Sequence, residues 1–219
     1  NTEIALYTSW LYLPWTIKPL WSPFVDLLKT KRWWIITMQA LIGAAMAGIA
    51  FFIPTHFYVQ ASLACFWLMA FSSATHDISA DGFYMLGLSE GEQSFFVGIR
   101  NTFYRFANIF GQGILVMIAG WIEQRSGNIP LAWSLVFYFM AGLFIALTLY
   151  HSYILPRPIN DTKTEAVNGK GLWENFLKTF ISFFKKEHIA LMLFFLLTYR
   201  LGEAQLVKIA SPFLLDASS

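Results

Sequence analysis

Two aspartates four residues apart, Asp77 and Asp81, sit in the stretch Ala74-Thr75-His76-Asp77-Ile78-Ser79-Ala80-Asp81-Gly82. On a helix both carboxylates fall on one face, with Ser73 one turn earlier. Carboxylates that close raise each other's pKa unless a cation intervenes. Two chemistries are therefore open to the pair: carrying a proton, or anchoring an arginine from a neighbouring helix. His76 points to another face and reads as a hydrogen-bonded helix histidine rather than a proton relay. Further along, Asn101, Arg105, Asn108 and Gln112 recur at spacings of 4, 3 and 4, backed by Gly111 and Gly113. This polar stripe suits the wall of a wet cavity in which Arg105 holds a carboxylate or phosphate bidentately. Helix-to-helix hydrogen bonding would use the same residues. Arg100 lies off the stripe, and its expected partners are Glu90, Glu92 or lipid headgroups.

Two more segments carry charge among apolar residues. Lys18 lies in the run from Tyr12 to Pro23, where Pro14, Pro19 and Pro23 fall within ten residues. Prolines break the backbone ladder, which apolar surroundings tolerate only beside a cavity or a neighbour that satisfies the freed groups. Lys18 among Trp15, Trp21 and Tyr12 fits an interior site beside a sugar-stacking surface, and core packing would use the tryptophans equally well. Near the end of the chain, Arg200 and Glu203 form an i, i+3 pair with Lys208 beyond, which serves either a gate or a fixed structural contact.

The elements that must position these groups are hydrophobic. Of 219 residues, 57% are apolar and 13% charged, and the mean hydropathy is +0.53. A soluble domain carries roughly twice that share of charge. The composition excludes disordered, fibrous and nucleic-acid-binding classes, and the net charge of +2 is too small to attract a polyanion. A membrane-spanning helix needs about 20 mostly apolar residues. Six segments qualify: 4–25, 33–54, 57–88, 95–122, 131–155 and 188–215. The runs are continuous rather than alternating, so an all-α integral membrane fold is expected and a barrel is not. Ala40/Ala44, Gly43/Ala47 and Ala44/Gly48 give the second span the spacing of close helix packing.

Lysine and arginine in the loops set the orientation. Lys29, Lys31, Arg32, Arg157, Lys163, Lys170, Lys178, Lys185 and Lys186 fall on one side, against Arg125 alone on the other, so the first side faces the cytoplasm. The polar stretch after Arg157 leads into residues 172–186, where Leu172, Phe176, Phe180 and Phe183/Phe184 lie near one face, the pattern of a helix lying in the membrane surface. The expected organisation is a first helical bundle over 1–156, a cytoplasmic linker over 157–187 and the start of a second bundle over 188–219. The first residue is Asn, and the last span runs almost to the end, so a piece of a longer protein is expected. Charges left inside the spans cost about 2.5–3.5 kcal/mol each on insertion scales, and so mark function or fixed pairs.

Catalytic signatures are missing. Gly169-Lys170-Gly171 lacks the rest of a phosphate loop, and no zinc-protease helix, serine elbow or dinucleotide glycine pattern occurs. Cys65, the one cysteine, excludes an internal disulfide and a cysteine-based zinc site. The chain is expected to be no enzyme and to need no cofactor or metal.

The run Ile17-Lys18-Pro19-Leu20-Trp21-Ser22-Pro23-Phe24-Val25-Asp26, followed by Lys31-Arg32, resembles the second-to-third helix junction of major facilitator superfamily transporters. More narrowly, KPLWSPFVD, ATHDISADGF, YRFANIFGQG and YRLGEA resemble the AmpG-like muropeptide permeases, whose relatives include acetyl-coenzyme A transporters. The resemblance implies a partial major-facilitator fold comprising helices 2 to 7. It implies that Asp26 is the acid of a cytoplasmic latch, working with Lys31 or Arg32. Ser22, Leu27 and Lys29 depart from the family's latch pattern, and His76 replaces the glutamine usual before Asp77.

The resemblance further implies proton-driven alternating access in a multi-pass protein of the bacterial inner membrane, importing anhydro-muropeptides. Asp77 and Asp81 would couple protons or form ion pairs. Lys18, Asn101, Arg105, Asn108 and Gln112 would meet the cargo, while Asp26, Lys31, Arg32, Arg200 and Glu203 would gate or brace. Its partners would be a sugar-peptide anion, protons and membrane lipids, with no nucleic acid, and the protein would be a monomer. The alternatives are an acetyl-coenzyme A-like or other anion carrier of the same fold, and, in a different class, a membrane-embedded sensor or lipid-acting enzyme.

Overall fold

Each proline of the first segment starts a helical piece rather than interrupting one. Proline supplies no backbone N–H and fixes φ, so the first turn of a helix is its natural place. In the computed structural model, which describes residues 7, 9–158, 161 and 169–199, α1 (Leu13–Ile17), a 3₁₀ turn (Lys18–Leu20) and α2 (Ser22–Leu28) all carry proline at the first or second position. The expected span 4–25 is thus a chain of short pieces over its described part. The chain divides into two units, Asn1–Ala166 and Val167–Ser219.

In the first unit, α3 (Lys31–Phe52) is the central element, packed along α4 (Tyr58–Gly87) and α7 (Ile129–Ile154). Its small residues permit the approach. A methyl on Gly43 would lie 3.2 Å from Phe144 and Ile145 of α7, and one on Gly48 would lie 2.9 Å from the Cys65 sulfur of α4. Ala44, by contrast, is exposed. The buried layer is Ile35, Met38, Ile42, Ala45, Ile49 and Ala50 of α3 against Ala74, Ala132 and Ala141.

After α4 the chain turns at Ser89, which caps α5 (Glu90–Ile109) through a reciprocal box with Glu92. A π-helical turn over Phe110–Ile114 joins α5 to α6 (Leu115–Ser126), so that 90–126 is one 37-residue run. Leu115 and Ala119 bury against Val136 of α7, yet α5 itself buries no residue. Gly127, with φ of 64°, ends α6 in the left-handed conformation that glycine adopts most easily.

Among the described residues, three helices, Lys31–Phe52, Glu90–Ser126 and Ile129–Ile154, are long and apolar enough to cross a membrane. The 30-residue α4 has the length, but His76, Asp77, Ser79 and Asp81 make its second half polar. In the second unit, α8 (Gly169–Phe184) stacks Phe176 on Phe180 at 5.9 Å and sets Phe184 tilted against Phe180 at 5.0 Å, and α9 (Ile189–Thr198) follows it. The expected last span continues beyond the described residues. No strand occurs among the described residues, and the fold is all-α.

Candidate functional site

The break at Lys18–Leu20 brings an ammonium group to the polar half of α4. Lys18 Nζ lies 2.7 Å from Asp77 Oδ2 and donates to it, while also sitting 5.3 Å from the Trp15 ring. From α5, Arg100 reaches both carboxylates, with Nη2 3.5 Å from Asp77 Oδ1 and Nη1 2.5 Å from Asp81 Oδ1. Four charges from three elements therefore neutralise one another, which lowers the cost of placing each among apolar helices. The expected partners of Arg100, Glu90 and Glu92, are not the ones it meets. Glu92 is engaged in the Ser89 cap, and the helical turn carries Arg100 to α4 instead. The two aspartates differ in their surroundings. Asp77 has two cations, whereas Asp81 has Arg100, and its Oδ1 is buried without an aligned hydrogen-bond donor.

A second set of charges lies at the foot of α3. Lys31 pairs with Asp26 of α2. Its chain crosses Gly82 so closely that a methyl there would stand 2.8 Å from Lys31 Cε. Asp161 accepts the backbone N–H groups of Lys31 at 2.7 Å and Arg32 at 3.1 Å, capping donors that a helix start leaves free. Arg32 leaves Asp26 to Lys31 and turns to the end of α7, donating to the carbonyls of Leu155, at 3.1 Å, and Ser152. A cation at a helix C-terminus also meets the negative end of the helix dipole.

A cavity of about 530 Å³ is lined by both groups: Lys18, Ser22 and Asp81 from one, and Asp26, Lys29, Lys31 and Asp161 from the other, with Gly82, Ile78, Met85 and Leu86 between. A smaller, largely apolar hollow of about 290 Å³ lies beside it in sequence, between Trp21, Phe24, Trp34, Met38 and Phe71. Trp21 packs 5.5 Å from Phe71 and its Nε1 donates to Thr75.

The structure does not bring the polar stripe into this cluster. Asn101, Arg105 and Gln112 are exposed, Arg105 makes no ion pair among the described residues, and Asn108 donates to the Tyr104 carbonyl of its own helix. Arg200 and Glu203 lie outside the described residues. His76 is not hydrogen-bonded at Nε2, which is buried without a partner, while the neighbouring histidine pair of contacts is His151 Nδ1 with Gln39 Oε1 at 2.9 Å. Sequence reasoning missed Asp161, whose distance of about 130 positions from α3 leaves no periodic trace, and the π turn, for which Gly111-Gln112-Gly113 is a fair signal. Among the described residues no group of three His, Cys, Asp or Glu could hold a metal ion.

An all-α, multi-pass membrane protein with interior ion pairs across broken and unbroken helices is the class these observations define. The BT1 family matches residues 1–94. The chain is 25% identical over 230 residues to the putative transporter AmpG 4 of Rickettsia conorii, covering 98% of this chain and 52% of that protein. It is 27% identical over 207 residues to the anhydromuropeptide permease of Escherichia coli K12, covering 92% of this chain and 39% of that protein. An uncharacterised protein of Haemophilus influenzae is 24% identical over 99% of this chain. The chain spans about half the length of the first curated relatives it matches. No solved structure matches it. These relatives bear out the resemblance to AmpG-like permeases of the major facilitator type.

Proposed function

We propose that the protein is a proton-coupled secondary transporter that imports anhydro-muropeptides across the bacterial inner membrane by alternating access, and that it is no enzyme. The observation that carries this reading is the likeness to the Escherichia coli anhydromuropeptide permease over 92% of the chain. The Lys18–Asp77–Arg100–Asp81 cluster supports the coupling half of the reading, because it places two carboxylates beside cations from two other elements within an apolar helical unit. Residues 1–156 form the first bundle in this reading, 157–187 the cytoplasmic linker and 188–219 the start of the second. Exposed Arg105 and its stripe await the anionic groups of the cargo, and Asp26 with Lys31 closes the cytoplasmic side.

Uptake of labelled anhydro-muropeptide into right-side-out membrane vesicles tests the reading, with and without an inward proton gradient. Gradient-dependent accumulation is the expected result. Arg105→Ala should weaken cargo binding roughly ten- to a hundred-fold at unchanged expression, since a bidentate charged contact contributes about 1.5–3 kcal/mol. Well-expressed, folded protein that takes up none of the cargo in either condition would overturn the assignment.

A further inference from the structure

The helix α8 sorts its side chains into two arcs. At about 100° per residue, Phe176, Leu177, Phe180, Ile181, Phe183 and Phe184 fall on one half of the circumference, while Glu174, Lys178, Ser182, Lys185 and Lys186 fall on the other. Leu177, Ile181, Phe183 and Phe184 are each more than a third exposed, a concentration of apolar surface that marks a site of contact. The rings of Phe176, Phe180 and Phe184 follow one another at 5.9 and 5.0 Å, so the apolar arc is a continuous ridge. On the other arc Lys178 and Lys185 lie two turns apart, and the helical bonding runs on through Lys185, whose N–H donates to the Ile181 carbonyl at 3.0 Å. Lys186 Nζ stands 5.9 Å from the Phe183 ring, where the two arcs meet. Acids are sparse here: Glu174 alone lies between Gly169 and Lys186, and Glu187 faces His188 at 3.4 Å. His188, with φ of 58°, turns the chain, and the apolar α9 begins at the next residue.

We propose that α8 is a lipid-recognition element that lies along the headgroup layer and gathers anionic phospholipids. The phenylalanine ridge enters the boundary of the acyl chains, and Lys178, Lys185 and Lys186 extend along that boundary to lipid phosphate oxygens. Three observations favour lipid over a protein surface. The apolar and charged arcs stay apart along the helix, as the two phases of a leaflet do. A lysine rim with a single acid complements an anionic surface, and the carbonyl end of a helix favours the cations Lys185 and Lys186. The lysine end also stands at the start of α9, the level at which an apolar helix meets the membrane surface. The inference goes beyond the transport reading and holds for any cargo.

The test uses the full-length protein in vesicles of phosphatidylcholine mixed with phosphatidylglycerol, with bimane on a single cysteine at 181 (Ile181→Cys in a Cys65→Ser background). A nitroxide quencher is carried on the acyl chains of one lipid or of the other. The probe at 181 is expected to be quenched by the acyl chains and not by iodide in the water, and the same probe at Lys178→Cys should show the reverse. Labelled phosphatidylglycerol should quench 181 severalfold more than labelled phosphatidylcholine, since each lysine at an anionic surface commands up to about fivefold. Replacing Lys178, Lys185 and Lys186 together by Gln should bring the two lipids to parity, and replacing them by Arg should keep the preference. Added salt should erode the preference in the unsubstituted helix, because it screens exposed charge, and this arm decides if the glutamine variant fails to fold. A probe at 181 shielded from both quenchers would mean that the ridge packs on protein, and would overturn the proposal. Equal quenching by the two lipids with all three lysines present, or a preference that neither glutamine nor salt reduces, would overturn it too.

Discussion

The two charged groups of the first unit use similar residues to opposite ends. At the foot of α3, Asp161 and Arg32 bind backbone: the carboxylate caps two N–H groups, and the guanidinium takes two carbonyls of α7. In the interior group, Lys18, Asp77, Arg100 and Asp81 bind one another and touch no helix end. Those backbone groups belong to helix ends that lack partners of their own, so the first group braces the start of α3 and the end of α7. Side-chain partners on separate elements can exchange, so the second can serve as a switch. The neighbouring helices repeat the contrast, for α3 is sunk between α4 and α7 while α5 buries nothing.

Several substitutions would break or sharpen that contrast. The largest effect on stability should come from Lys18→Ala, which removes the closer cation from the partly buried Asp77. Removing one partner of a fully buried pair costs about 3–5 kcal/mol, and partial exposure together with the Arg100 guanidinium, which still reaches Asp77, reduces this to roughly 2 kcal/mol. Thermal melting in detergent should show it, and Lys18→Arg should recover most of the loss. If Lys18→Ala melts like the parent protein, the interior pair contributes nothing to the fold.

Arg32→Ala comes next. It takes the donor from two part-buried carbonyls at the end of α7 that water can reach, so the loss should be about 1 kcal/mol, below the roughly 1.5–3 kcal/mol of a buried hydrogen bond to a charged group. The loss should appear as faster amide exchange at the start of α3 and the end of α7, with the gradient dependence of uptake retained. Altered coupling at unchanged stability would mean that the clasp is a switch after all. Gly82→Ala should have the smallest effect, below about 1 kcal/mol, because the added methyl meets the flexible end of Lys31 and the Asp26 partner is more than half exposed. A double-mutant cycle with Asp26→Asn measures it. The added loss should disappear once Asp26 is neutralised.

Much of this arrangement is legible in the sequence, and the limits follow from distance along the chain. Pro14, Pro19 and Pro23 announce a broken segment, because a proline's effect is local. Gly43 and Gly48 announce close packing for the same reason, although Ala44, in the same repeat, turns out exposed. Asp77 and Asp81 disclose their shared face through the four-residue spacing. What the spacing cannot disclose is which residue arrives from elsewhere. Arg100 sits off the polar stripe of its own helix and so looks peripheral, yet being off the stripe is what turns it toward α4. Lys18 finds Asp77 across 59 positions and Lys31 finds Asp161 across 130, contacts that only tertiary packing creates. The stripe through Arg105 has the opposite fate. Its periodicity is plain, but within the described residues it gains no ion pair, and Asn108 donates only to Tyr104 of its own helix.

The most direct test of the proposed coupling is Asp81→Asn in the full-length protein, reconstituted and measured in two ways on one preparation. Counterflow of labelled muropeptide against unlabelled cargo requires alternating access but no proton uptake, while uphill accumulation requires both. The account predicts that counterflow continues and that gradient-driven accumulation falls to the level without a gradient. Accumulation that persists in Asp81→Asn would remove the interior cluster from the coupling and leave it, like the clasp at Asp161 and Arg32, a structural device.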